Sequence, residues 1–84
     1  GRMKNFSLEI RTPDSSLVST SATKLRLRAA DGELEILPDH AALATILAPG
    51  QIFYTLESGE EKSLDSRQGF LLVEKNKAVV LLNN

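Results

Sequence analysis

Apolar residues at every second position, in short runs broken by turn formers, constrain this chain more than any other feature. Phe6, Leu8 and Ile10 alternate with Ser7 and Glu9. Leu25 and Leu27 alternate with Lys24, Arg26 and Arg28, while Ile52, Tyr54 and Leu56 share one face of a run whose other face carries Phe53 and Thr55. A period of two is that of a strand with one buried face. Turn chemistry separates the runs at residues 12–15, at Asp31-Gly32, Pro49-Gly50 and Ser58-Gly59, and at residues 74–77. This regular spacing predicts an all-β fold, a small antiparallel β-sandwich or flattened barrel of about ten short strands. Residues 41–48 are rich in alanine and leucine and would suit a helical turn. Their bracketing by Pro38 and Pro49 favours a strand with an irregular lead-in.

The chain of 84 residues makes one domain, and a domain of that size buries roughly 60 to 65% of its unfolded surface. With no cysteine, neither a disulfide framework nor a thiolate site supplements the small core. A net charge of −1 offers no basic field for phosphate backbones, so no nucleic-acid partner is expected. The longest apolar run is far too short to span a bilayer, and no direct membrane insertion is expected. Gly1-Arg2 ahead of Met3 reads as an expression remnant, leaving residues 3–84 as the domain.

One pairing follows from the pattern. With Asp31-Gly32 at a hairpin tip, Ala29 opposes Leu34, Leu27 opposes Ile36, and Arg28 opposes Glu35 as a cross-strand ion pair.

Catalytic candidates are few. His40, the single histidine, follows Asp39, and an imidazole oriented by a carboxylate is a general base. Adjacent turn residues seldom point at each other, however, and the serines are scattered over turns with no nucleophile elbow. One histidine without cysteine falls short of a metal ligand set, and no glycine-rich loop cradles a phosphate, so no catalytic residue, metal or cofactor is expected. The stripe Lys24, Arg26, Arg28 lies beside Glu33, Glu35 and Asp39 and reads as a solvated, charge-balanced face. Phe53, Tyr54 and Phe70 read as core and interface aromatics.

The segment from Gly32 to Gly50, with a strand leaving a tight turn, Pro38, His40 and a compact apolar run closed by Pro49-Gly50, resembles the N-terminal domain of the epsilon subunit of rotary F-type ATP synthases, whose mitochondrial counterpart is the delta subunit. Leu8-Glu9-Ile10-Arg11-Thr12-Pro13 looks like the family's opening strand and turn. Residues 69–73 and 76–81 look like its last two strands, so the likeness runs from about Phe6 to Leu82. It implies a non-catalytic subunit of the central stalk that links the gamma subunit to the polar loops of the c-ring and helps couple rotation to ATP synthesis or hydrolysis. It further implies a peripheral location at the cytoplasmic face of the bacterial inner membrane. By the same resemblance Asp31, Gly32, Glu33 and Leu34 are expected at the c-ring, and Thr12, His40 and Thr45 at the gamma subunit. Asp39 stands where the family commonly has glycine, Ala42 where it has proline, and Arg67-Gln68 where it has Ser-Gly. Many family members continue into a C-terminal helical hairpin, and this polypeptide is expected to lack that inhibitory arm. The rival readings are an unrelated small β-sandwich interaction module and a minimal hydrolase built on His40.

Overall fold

The computed structural model describes residues 4–83. The expected remnant Gly1-Arg2 lies outside the described residues. Within them the chain forms eight strands, β1 (Phe6–Arg11), β2 (Ser16–Ala29), β3 (Gly32–Ile36), β4 (Leu43–Leu47), β5 (Gly50–Leu56), β6 (Glu61–Ser66), β7 (Gly69–Glu74) and β8 (Lys77–Leu82). Residues 43–47 are the strand that the flanking prolines favoured.

The longest of them, β2, is one continuous strand of 14 residues. It is also the hub of the topology. One edge of β2 pairs with β1 along residues 16–22 and then with β3 along residues 25–29; the other edge pairs with β5 over residues 22–26 and meets β4 at Ala29. Beyond β1 the order runs β8, β7, β4, and β4 returns to the end of β2, closing a flattened barrel. β5 and β6 extend the β3–β2 side into a second layer. Every pairing among the described residues is antiparallel except β1 with β8, which run parallel. That pair departs from the purely antiparallel expectation, because the β7–β8 hairpin brings the last strand back beside the first in the same direction.

A single strand serves both layers because its register shifts between Ala22 and Lys24. The extra residue is a β-bulge, which bends a strand and inverts its inside–outside alternation. Ala22 is buried from the first half of β2; after the bulge Leu25, Leu27 and Ala29 are the buried ones. Ala22, Leu25 and Leu27 join Leu8 and Ile10 of β1, Ile36, Leu47, Ile52, Leu71 and Val80 in one continuous core. Burying each of these leucine, isoleucine and valine side chains contributes about 1.5–3 kcal/mol.

The tip of the β2–β3 hairpin sits one residue earlier than expected, on Ala30-Asp31, and each pairing moves by two. Leu27 opposes Leu34, Arg28 opposes Glu33 and Arg26 opposes Glu35, so the expected Arg28–Glu35 pair does not form. A slip of two leaves every side chain on its own face, so apolar alternation alone does not distinguish the two registers. The backbone of the turn decides: Gly32 at φ 133° occupies a conformation that side-chain-bearing residues rarely adopt.

Candidate partner-docking surfaces

The hairpin tip is held on both sides. Beyond its own ladder, the Ala30 N–H donates to the Ile46 carbonyl at 3.0 Å and the Ala48 N–H to the Arg28 carbonyl at 3.0 Å, so the end of β4 braces the turn. Asp31, Gly32 and Glu33 are exposed there, and Leu34 is half-buried against the core. These four residues line a shallow cleft of about 200 Å³ together with Leu43 and Thr45. Neither carboxylate of Asp31 and Glu33 is ion-paired among the described residues. The cleft therefore offers an apolar floor beneath a negative rim.

The structure does not bring Thr12, His40 and Thr45 together. Thr45 belongs to the cleft with Asp31–Leu34. Thr12 follows β1 and caps its own turn: its N–H donates to the Ser15 carbonyl at 2.9 Å, and its Oγ1 accepts from the N–H groups of Asp14 and Ser15 at 3.3 and 3.2 Å. His40 lies at the far end of the same layer. Thr12 is next to Arg11, which pairs with Leu81 near the end of β8, whereas Asp39 is hydrogen-bonded to Asn76, just before β8 begins. The length of β8, roughly 20 Å for a strand of six residues, separates them. The His40 ring is half-buried, and Nδ1–H donates to the Ala41 carbonyl at 2.7 Å. It engages backbone, not the serine or carboxylate that a hydrolytic site would need.

Between Thr12 and His40 lies a surface that residue-by-residue reasoning missed. Across β4, β7 and β8 the register lines up Ile46, Phe70 and Leu81 in one row and Ala44, Leu72 and Val79 in the next. Ile46, Phe70, Leu72 and Leu81 are 53, 40, 42 and 47% exposed, a clustering that distinguishes them from singly scattered surface apolar residues. Its signal in the sequence is the loss of alternation: residues 70–73 and 78–82 are apolar throughout, the mark of strands with both faces destined for cover. The row ends in an open cavity of about 560 Å³ where Thr12 and Gln68 meet Ile46, Phe70 and Leu81.

The outer face of the opposite layer has the reverse character. Glu35, Arg26, Phe53 and Ser63 form one row across β3, β2, β5 and β6. Arg26 turns to the Phe53 ring, its guanidinium carbon 4.6 Å from the centroid, and closes no ion pair with Glu35. Phe53 is thus a platform for a cation, and Tyr54, on the inner side, joins Phe6 in the core.

Comparison with known proteins agrees with this architecture. The family profile described as the ATP synthase, delta/epsilon chain, beta-sandwich domain matches residues 5–84. The chain is similar to the ATP synthase epsilon chain of Koribacter versatilis, 42% identical over 76 residues, covering 90% of this chain and 53% of that one. It is 33% identical to the ATP synthase epsilon chain of Clostridium novyi over 78 residues, covering 93% of this chain and 60% of that one. It therefore spans a little over half the length of these relatives. Among solved structures, its fold matches a chain in the mitochondrial ATP synthase of Euglena gracilis with a TM-score of 0.89 at 20% identity, covering 98% of this chain and 53% of the other. A chain in the central stalk and c-ring of the Tetrahymena thermophila enzyme matches with a TM-score of 0.81 at 13% identity, over 100% of this chain and 67% of the other.

Proposed function

This chain belongs to the delta/epsilon β-sandwich family of ATP synthase subunits, and from that premise we propose that it is a non-catalytic adapter of the central stalk, linking the gamma subunit to the polar loops of the c-ring. The observation that carries the reading is the unlike character of its surfaces: a contiguous apolar sheet face on one side and a braced, negatively rimmed turn elsewhere. The gamma subunit covers the apolar face between Thr12 and His40, where Ile46, Phe70, Leu72 and Leu81 supply the buried centre of the contact and the polar residues its rim. The c-ring loops meet Asp31, Gly32, Glu33 and Leu34. Thr45, which lines the cleft with them, goes to the ring side in this arrangement. Such an adapter transmits torque through packed contacts, and a filled β core yields little under load. It places the chain peripherally, at the cytoplasmic face of the bacterial inner membrane.

The test is calorimetric binding to the gamma subunit of the same source. The wild-type chain binds stoichiometrically, and Phe70→Glu, with an unchanged circular dichroism spectrum, loses at least about tenfold in affinity, since a charge in the centre of an apolar contact is left unpaired. Wild-type affinity in a folded Phe70→Glu variant, or no binding by the wild-type chain, overturns the assignment.

A further inference from the structure

Two turns from distant parts of the chain are locked together beside His40. The link from β3 to β4 passes through Pro38 and Asp39, and the His40 N–H closes it by donating to the Leu37 carbonyl at 3.1 Å. Asp39 is held there at φ 65°, while the two-residue turn between β7 and β8 puts Lys75 at φ 47° and Asn76 at φ 59°. Left-handed backbone at both central positions is what a tight hairpin of this twist requires, and Asp and Asn tolerate it better than most residues. The two turns exchange hydrogen bonds. The Asp39 N–H donates to Asn76 Oδ1 at 2.6 Å, and Asn76 Nδ2 donates to Asp39 Oδ1 at 2.8 Å. Lys4 Nζ takes the other carboxylate oxygen at 3.1 Å, and the Asn76 carbonyl accepts from the Ser7 N–H at 2.9 Å. The link is thereby fastened to the β7–β8 hairpin and to the start of β1 at once.

We propose that Asp39 and Asn76 are positioning residues for partner binding: their reciprocal hydrogen bonds hold the β3–β4 link in the one conformation that presents His40 to the gamma subunit. This rests on the gamma-facing role proposed for His40. The imidazole's hydrogen bond is to the carbonyl of its neighbour Ala41, so the backbone of the link sets its direction. A link fixed before encounter spares the complex the cost of ordering it. Aspartate makes this left-handed turn and at the same time anchors it to the neighbouring hairpin.

The experiment is a binding cycle against the purified gamma subunit, using Asn76→Gly, His40→Ala and the double variant in the full chain. Glycine keeps the left-handed turn and removes only the clamping amide. Asn76→Gly is expected to keep its thermal midpoint within a few degrees, to exchange the His40 amide proton faster, and to bind roughly three- to tenfold more weakly. In the His40→Ala background the same substitution is expected to have no further effect. In the swap Asp39→Asn with Asn76→Asp the backbone N–H at position 39 still donates to the side-chain oxygen at position 76 and only the bond between the two side chains exchanges donor and acceptor, so affinity is expected to be restored. Should Asn76→Gly fail to fold, Asp39→Gly replaces it, keeping the left-handed residue without the carboxylate. Wild-type affinity in the clamp variant, or an equal loss with and without the His40 side chain, overturns the positioning role alone. Wild-type affinity in His40→Ala overturns the gamma-facing assignment and the positioning role with it.

Discussion

At the scale of single residues, the structure gives partners where the sequence gives faces. Gly32 was legible as a positive-φ turn residue because few alternatives fit. The partner of Arg26 was not, since period-two reasoning places it on the outer face without choosing between Glu35 and Phe53, which flank it on either side. A double-mutant cycle of Arg26→Met with Phe53→Leu in thermal or urea unfolding is expected to give a coupling of about 0.5–1 kcal/mol, the size of a partly exposed cation–aromatic contact; zero coupling would mean the stacking contributes nothing. Asp39 carries a pH dependence. The Asn76 hydrogen bond, then the Lys4 hydrogen bond and charge, hold its carboxyl below the usual carboxylate range. A group whose pKa is depressed on folding stabilises above its unfolded pKa, and that contribution disappears as pH falls through the folded value. The difference in thermal midpoint between the wild-type chain and Asp39→Gly is therefore expected to be full at neutral pH and to shrink below the ordinary carboxylate range. A difference that stays constant down to strong acid would show that the carboxylate charge is not involved.

At the scale of elements, most strands were readable because each needs only local alternation and a turn at either end. What escaped was continuity. Within residues 16–29 the buried positions change parity at the bulge, even residues before it and odd ones after, so no single alternation runs the length of β2. The bulge has to be kept for both halves of β2 to face inward. Deleting Thr23 is expected to turn either Ala22 or Leu25 and Leu27 out of the core and to abolish the cooperative melt. Replacing Thr23 by alanine keeps the residue count and removes only a hydrogen bond to the Thr55 carbonyl, 3.4 Å long, so it is expected to cost under about 1 kcal/mol. A cooperative melt for the deletion would show that the register has another way to close.

At the scale of the whole molecule, the two layers present surfaces that want different surroundings. The resemblance made the family legible; the three residues it grouped on one side are spread out in the structure, Thr45 lying in the cleft with residues 31–34 and Thr12 and His40 at opposite ends of the same layer. The apolar face was hidden because a run such as residues 70–73 says that both faces are apolar without saying that the outer one is left uncovered. Leu72→Lys is expected to leave stability within about 0.5 kcal/mol, as an exposed position permits, while weakening gamma binding. A large loss of stability would instead make Leu72 a structural residue. The parallel pairing of β1 with β8 carries a different consequence. During synthesis β1 meets its first neighbour within a few residues, but its second is β8, the last of the eight described strands to be made. The barrel therefore stays open until the end of the domain has emerged, and closure of its longest sequence loop places folding among the slower, non-local class. A ribosome stalled before β8 would carry a chain rich in strands and still unsealed, so the passage from nascent chain to closed barrel is a single late event.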